Sequence, residues 1–213
     1  MFARLFSLLL FILSCSLTTA QMTLHPSSVE PLTPDNIIQN VFLGNGIELL
    51  ESSHSGLPGS IGLFDNALEE IGLEKGIVLS TGFAANVIKP NSEENPISNN
   101  TTNKSVKDAD LEAIAGVEVV DVVKYEITFI PSSDLLSFRY VFASEEYPDF
   151  TCGDANDVFG FFISGKKPGG GEYVSENIAR VPDPNEPGEF LDLPVSINSV
   201  NAGEAGVLSL IHI

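Results

Sequence analysis

The run VKYEITFIPSSDLLSFRYVFASEEYPDFTCGDANDVFGFFISG, from Val123 to Gly165, decides the fold class. Val123, Tyr125, Ile127 and Phe129 alternate with Lys124, Glu126 and Thr128. That period of two predicts a half-buried β-strand. Pro131-Ser132-Ser133-Asp134 predicts a turn. Leu136, Phe138, Tyr140 and Phe142 then share one side of a following strand, with Ser137 and Arg139 on the other, so the two strands are expected to form a hairpin. Val158–Ser164 is apolar on both faces, which predicts a central strand. Between these runs lies an acidic loop holding Glu145, Glu146, Asp149, Asp154, Asn156 and Asp157. No Lys or Arg stands between Arg139 and Lys166 to offset it.

Downstream, Lys166–Gly171 reads as a Gly/Pro turn leading to a strand near Tyr173–Val181, Asp183–Gly188 as a Pro-rich loop, and Val195–Val200 as a further strand. Upstream, Thr33-Pro34-Asp35 has the form of a helix start, with Ile37, Ile38, Val41 and Phe42 at helical spacing and Gly44-Asn45-Gly46 as the stop. Ile47–Leu50 is expected as a short strand and Ser52–Gly62 as a loop. Leu63–Ile71 reads as a short helix or turn with Ala67, Leu68 and Ile71 inward, and Ile77–Thr81 as a β run. Asn86–Lys107 reads as a long exposed loop, and Asp108–Ile114 as a short helix with Leu111 and Ile114 inward. Many short strands, Gly/Pro turns and one or two early helices predict a mainly β domain, a β-sandwich or jelly roll.

The ends and the charge bound the setting. Met1–Arg4 is basic, Leu5–Leu13 is apolar but too short to span a bilayer, and Thr18-Thr19-Ala20 precedes Gln21. Residues 1–20 therefore read as a secretory signal peptide, with lipoprotein processing at Cys15 as the other option. Residues 21–32 read as an extended lead, 33–207 as the domain, and 208–213 (LSLIHI) as a non-native tail on a chain that continues in its natural form. A formal net charge of −19 makes nucleic acid and anionic membrane improbable partners and favours divalent cations. Once Cys15 is removed, Cys152 is alone in an exported chain, which points to a missing or intermolecular partner.

Four segments carry a resemblance: TPDNIIQNVFLGNGIEL, then IGLFDNA with IGLEKGIVLSTG, then DADLEAIAG, and above all FRYVFASEEYPDF with Cys152 and NDVFGFFISG. Together, over Thr33–Gly206, they resemble the choice-of-anchor L domain, a module of secreted and surface proteins mainly of Bacteroidetes. The resemblance implies a non-catalytic module in proteins whose C-terminal ends carry varying sorting or anchoring signals. It also implies a further cysteine-bearing loop beyond residue 207, which would make Cys152 half of a disulfide.

The acidic loop admits several readings. Glu145, Glu146, Asp149, Asp154, Asn156 and Asp157 offer enough oxygens for Ca²⁺, which takes roughly six to eight ligands. They fit equally a solvated turn with strand-capping carboxylates. Tyr147 and Phe150 are either exposed rings for a sugar or peptide, or core at the sheet edge. A glycosidase needs only a carboxyl pair, but the chain has no G-x-S-x-G, HExxH or P-loop, and Gly169-Gly170-Gly171 precedes no helix. The expectation is a secreted, non-catalytic surface or adhesin-type module that meets an extracellular protein or glycan, with Ca²⁺ as its possible ion. The alternative is a carbohydrate-binding or accessory domain of an extracellular hydrolase.

Overall fold

The computed structural model describes residues 21–26, 47–88, 106–147, 151–152 and 156–201. The helix expected from Thr33, most of the Asn86–Lys107 loop, the leader and the tail lie outside them. Within them the chain is mainly β, as expected of a sandwich-like fold. It has ten strands: β1 (Thr23–Pro26), β2 (Ile47–Ser55), β3 (Ile61–Asp65), β4 (Gly76–Leu79), β5 (Lys124–Pro131), β6 (Val158–Phe159), β7 (Phe162–Lys166), β8 (Glu172–Asn177), β9 (Arg180–Pro182) and β10 (Phe190–Ser196). Two short helices, α1 (Leu68–Ile71) and α2 (Ala109–Ala115), interrupt them. The strands form antiparallel sheets ordered β1-β3-β4, β6-β10-β9, β2-β5 and β7-β8.

The alternating strand from Lys124 is present, but its partner is β2 and not the segment after the turn. Ile47 pairs with Pro131 and Ser55 with Lys124, with a bulge that leaves Leu50 unopposed. β2 runs to Ser55, through much of the expected Ser52–Gly62 loop. Its residues alternate in burial, but past Leu50 they are Glu, Ser and His, so a search for apolar periodicity finds Ile47–Leu50 and passes over Glu51–Ser55. The segment from Leu136 to Phe142 keeps the expected alternation of side chains, even-numbered residues in and odd-numbered out, without a ladder among the described residues.

Other boundaries shift for local reasons. Leu63–Asp65 belongs to β3, and only Leu68–Ile71 is helical. Ala67 and Phe64 are buried as core, whereas Leu68 points outward. The run Val158–Ser164 is not one central strand. It divides at Gly160–Phe161 into β6 on β10 and β7 on β8. Asn177 bridges the break: its Oδ1 accepts from the Phe161 and Ala179 amides at 3.1 Å each. The strand expected at Val195–Val200 ends at Ser196. There Ser199 Oγ donates to the Pro194 carbonyl at 2.6 Å and accepts from the Ser196 amide at 2.9 Å, and the Val200 amide turns back to Ser196. Serine side chains that bond nearby backbone offer the chain a turn in place of a ladder.

The remaining elements follow their sequence signals. Asp108 caps α2 by accepting from the Asp110 and Leu111 amides at 3.1 and 3.0 Å, and Gly116 closes the helix in the left-handed region. Burial works to raise the Asp108 carboxyl, but the Leu111 amide, Lys124 and the Asp110 amide outweigh it and hold it below its ordinary value. Lys167–Gly171 turns β7 into β8, with Gly169, Gly170 and Gly171 all at positive φ. The extended lead contributes β1 on β3.

The core that positions the acidic loop is Ala179, Val181, Val195 and Val200, with Tyr140, Phe142, Phe159, Phe161 and Leu191 packed against it. Ile197, just past β10, is also fully buried. Ile197→Ala is expected to cost about 2–5 kcal/mol, read from the urea midpoint at constant slope. Val174→Ala, at a side chain 80% exposed, is expected to stay within about 0.5 kcal/mol of the wild type.

Candidate functional site

Three latches tie the acidic loop to the turn after β10. Ser144 Oγ donates to Asp157 Oδ2 at 2.7 Å and accepts from the Glu146 amide at 3.1 Å. The Tyr147 hydroxyl donates to the Val200 carbonyl. The Cys152 amide donates to Asn198 Oδ1 at 2.6 Å, and the Ile197 amide donates to the Asp157 carbonyl at 3.0 Å. These partners come from the 196–201 turn or from the loop itself, so the serine-stabilised end of β10 helps place the loop's described residues.

Of the expected site residues, the structure brings Glu145, Glu146, Tyr147, Cys152, Asn156 and Asp157 into this one region; Asp149, Phe150 and Asp154 lie outside the described residues. Glu145 is exposed, while Glu146 and Asp157 are half-buried. Burial first, then the charge of Asp157, then that of Glu145 push the Glu146 carboxyl above its ordinary range. Burial and the charge of Asp157 push the Tyr147 hydroxyl up as well. Asn156 Oδ1 is buried with no donor among the described residues. Such an oxygen calls for an amide, a water or a cation. No group of three or more His, Cys, Asp or Glu able to hold a metal ion occurs among the described residues. Cys152 is an exposed free thiol at positive φ, with Asn201 Nδ2 3.9 Å from its sulfur.

Two features were not legible as motifs. His54 and Ser60 share a hydrogen bond at 3.2 Å, the beginning of a nucleophile–base pair. Ser60 is only 1% exposed, however, and burial lowers the His54 pKa, so the pair acts as a neutral clasp across the β2–β3 turn. A shallow polar groove of about 200 Å³ lies on the β2–β5 sheet, lined by Glu51, Ser52, Ser53, Glu126 and Thr128. It has no apolar anchor of the kind that seats small ligands.

A family model, the choice-of-anchor L domain, matches residues 25–209. The chain belongs to the choice-of-anchor L domain family. The match takes in the second half of β1, the whole aromatic core and the acidic loop with its latches. The family is a surface and secreted module, generally non-catalytic. Comparison with curated proteins and with solved structures found no match. No helix among the described residues is long and apolar enough to cross a membrane.

Two outcomes follow from the site's electrostatics. A carboxyl whose folded pKa is raised holds its proton more tightly in the folded chain, so its contribution to stability is lost as pH rises through that raised value. Glu146→Gln is therefore expected to be more stable than the wild type at pH 7, with the two converging below the ordinary glutamate pKa of about 4.3. Thermal melts of both proteins across the acid range measure the difference. Burial raises the Tyr140 hydroxyl to about 12, and it has no hydrogen-bond partner among the described residues. Tyr140→Phe is expected to be neutral or stabilising by up to about 1 kcal/mol, because it removes an unsatisfied polar group and keeps the ring.

Proposed function

We propose that this chain is a non-catalytic module of a secreted or surface-held protein, with a role in adhesion or envelope structure. It would present the acidic loop to an extracellular protein or glycan. One observation carries this reading: Glu145 is exposed beside Glu146 and Asp157, and the described residues around them are tied by three latches to the turn after β10. A rigid display loses little conformational entropy when a partner docks. The strong negative charge supports a protein or glycan partner over nucleic acid. An N-terminal secretory signal over residues 1–20 fits the same setting.

Ca²⁺ is the proposed stiffening ion. The Asn156 oxygen, with no donor among the described residues, supports it, as does Glu146, raised first by burial and then by the charges of Asp157 and Glu145, because a cation would offset both. Glu145, Glu146, Asn156 and Asp157 are the described oxygens that would take part, with Asp149 and Asp154 from the same loop. Disulfide pairing of Cys152 with a cysteine beyond residue 207 belongs to this reading too, and its exposed thiol is open to such a partner. The glycan-binding alternative draws on Tyr147 and Phe150. It stands second because the Tyr147 hydroxyl is already engaged by Val200.

Calcium is expected to raise the melting temperature of the purified chain relative to chelator, and the double variant Glu146→Gln/Asp157→Asn is expected to lose that rise. An unchanged midpoint sinks the calcium part. Binding of the purified chain to isolated envelope material and to immobilised glycans tests the adhesive role. Retention in neither assay, with the fold intact by circular dichroism, overturns it.

A further inference from the structure

We infer that Gln21 becomes the first residue of the mature chain and closes onto its own α-nitrogen as a pyroglutamyl lactam, leaving an N-terminus with no free amine. The inference rests on the reading of residues 1–20 as a secretory signal, with the cut between Ala20 and Gln21. Glutamine is the amide residue whose side chain forms a five-membered ring with its own α-nitrogen. Nucleophile and electrophile then sit within one residue, so the reaction is intramolecular and needs no second molecule to be positioned. The α-nitrogen attacks the side-chain carbon Cδ. A new N–Cδ bond forms and the Cδ–Nε2 bond breaks. The proton given up by the α-nitrogen leaves with Nε2 as ammonia, and nothing is oxidised or reduced. The attacking species is the neutral amine, which is populated at neutral pH because an α-amino group has a pKa of about 8.

The fold leaves room for the ring and gives it a purpose. Gln21 is exposed and β1 begins only at Thr23, so closure takes no group from the β1–β3 ladder. The backbone just after it is already placed. The Thr23 hydroxyl donates to the Gln21 carbonyl at 3.4 Å, and the Met22 amide donates to Glu70 Oε1 at 3.2 Å. Both contacts survive, because the ring uses only the α-nitrogen and the side chain of Gln21. Chain ends are where proteolysis concentrates, and here the strand that trimming would reach first is β1. That strand fastens the start of the chain to β3: Thr23 pairs with Asp65, Pro26 pairs with Gly62, and His25 Nε2 meets Asp65 Oδ2 at 3.1 Å. An aminopeptidase needs a free α-amine, and the lactam offers none. The family match begins at residue 25, so the ring belongs to this chain's own leader junction and not to the matched domain.

The full chain, exported from a bacterial host under its own leader, is held at physiological pH and temperature until its N-terminal mass no longer changes. Its free amines are then labelled by reductive methylation before digestion, so that cyclisation during work-up is told apart. Mass spectrometry of the N-terminal peptide reads the result. The expected peptide starts at Gln21, carries no label on its α-nitrogen, and is lighter than the encoded peptide by one ammonia. The Gln21→Ala chain is expected to carry a labelled α-amine. A wild-type chain that starts at Gln21 with a labelled α-amine overturns the ring and leaves the secretory reading standing. A chain that starts at any other residue, Cys15 included, overturns both.

Discussion

The stacked rings of Phe138, Tyr140, Phe159 and Phe161 over Ala179, Val181, Val195 and Val200 are the contact on which the described structure turns. Aromatic rings bury more area per residue than any other side chain, and offset stacking adds to that burial. Here they join segments that share no ladder. The stretch before the acidic loop and the stretch after it meet ring to ring, and β9 and β10 close from beneath. The loop is left as the tie between two ends that are already fixed. This explains how the described residues of so charged a connection are placed: the core sets its endpoints, and a few hydrogen bonds to the turn after β10 add to that.

What could be read from residue order divides along the same line. Side-chain alternation at Phe138, Tyr140 and Phe142 gave the right inward face, because that face is decided by burial, which the residues state openly. Pairing was not legible. The strand at Lys124–Pro131 chose β2, whose second half, Glu51–Ser55, carries no apolar signature, over its sequence neighbour. The end of β10 was misplaced because Val195 and Ile197 alternate with Ser196 and Asn198 in strand fashion, which concealed the Ser196–Ser199 turn. The acidic residues stood out as a group, yet their latches were hidden, since Ser144, Asn198 and Val200 are ordinary residues whose roles come from position. The aromatic Tyr147 seemed suited to a ligand, and its hydroxyl instead serves the Val200 carbonyl.

The electrostatic state of the loop follows from being fixed and acidic at once. A mobile loop would spread Glu145, Glu146 and Asp157 apart. A latched one holds them together, and Glu146, raised first by burial and then by the charges of Asp157 and Glu145, carries the cost. Membership of the choice-of-anchor L family places this arrangement on a surface or secreted module, where solvent, ions and partners compete for the same carboxylates.

The β2–β5 ladder bears on how the molecule comes into being. It joins Ile47 to Pro131, so during synthesis β2 is complete long before its partner exists. Contacts between distant parts of a chain form late, because loop closure must precede any reward. An apolar strand left waiting would be a site for aggregation. β2 is only partly such a strand, since Glu48 and Glu51–Ser55 keep most of it hydrated until β5 arrives. The very polarity that hides Glu51–Ser55 from a search for hydrophobic pattern is thus a safeguard during folding.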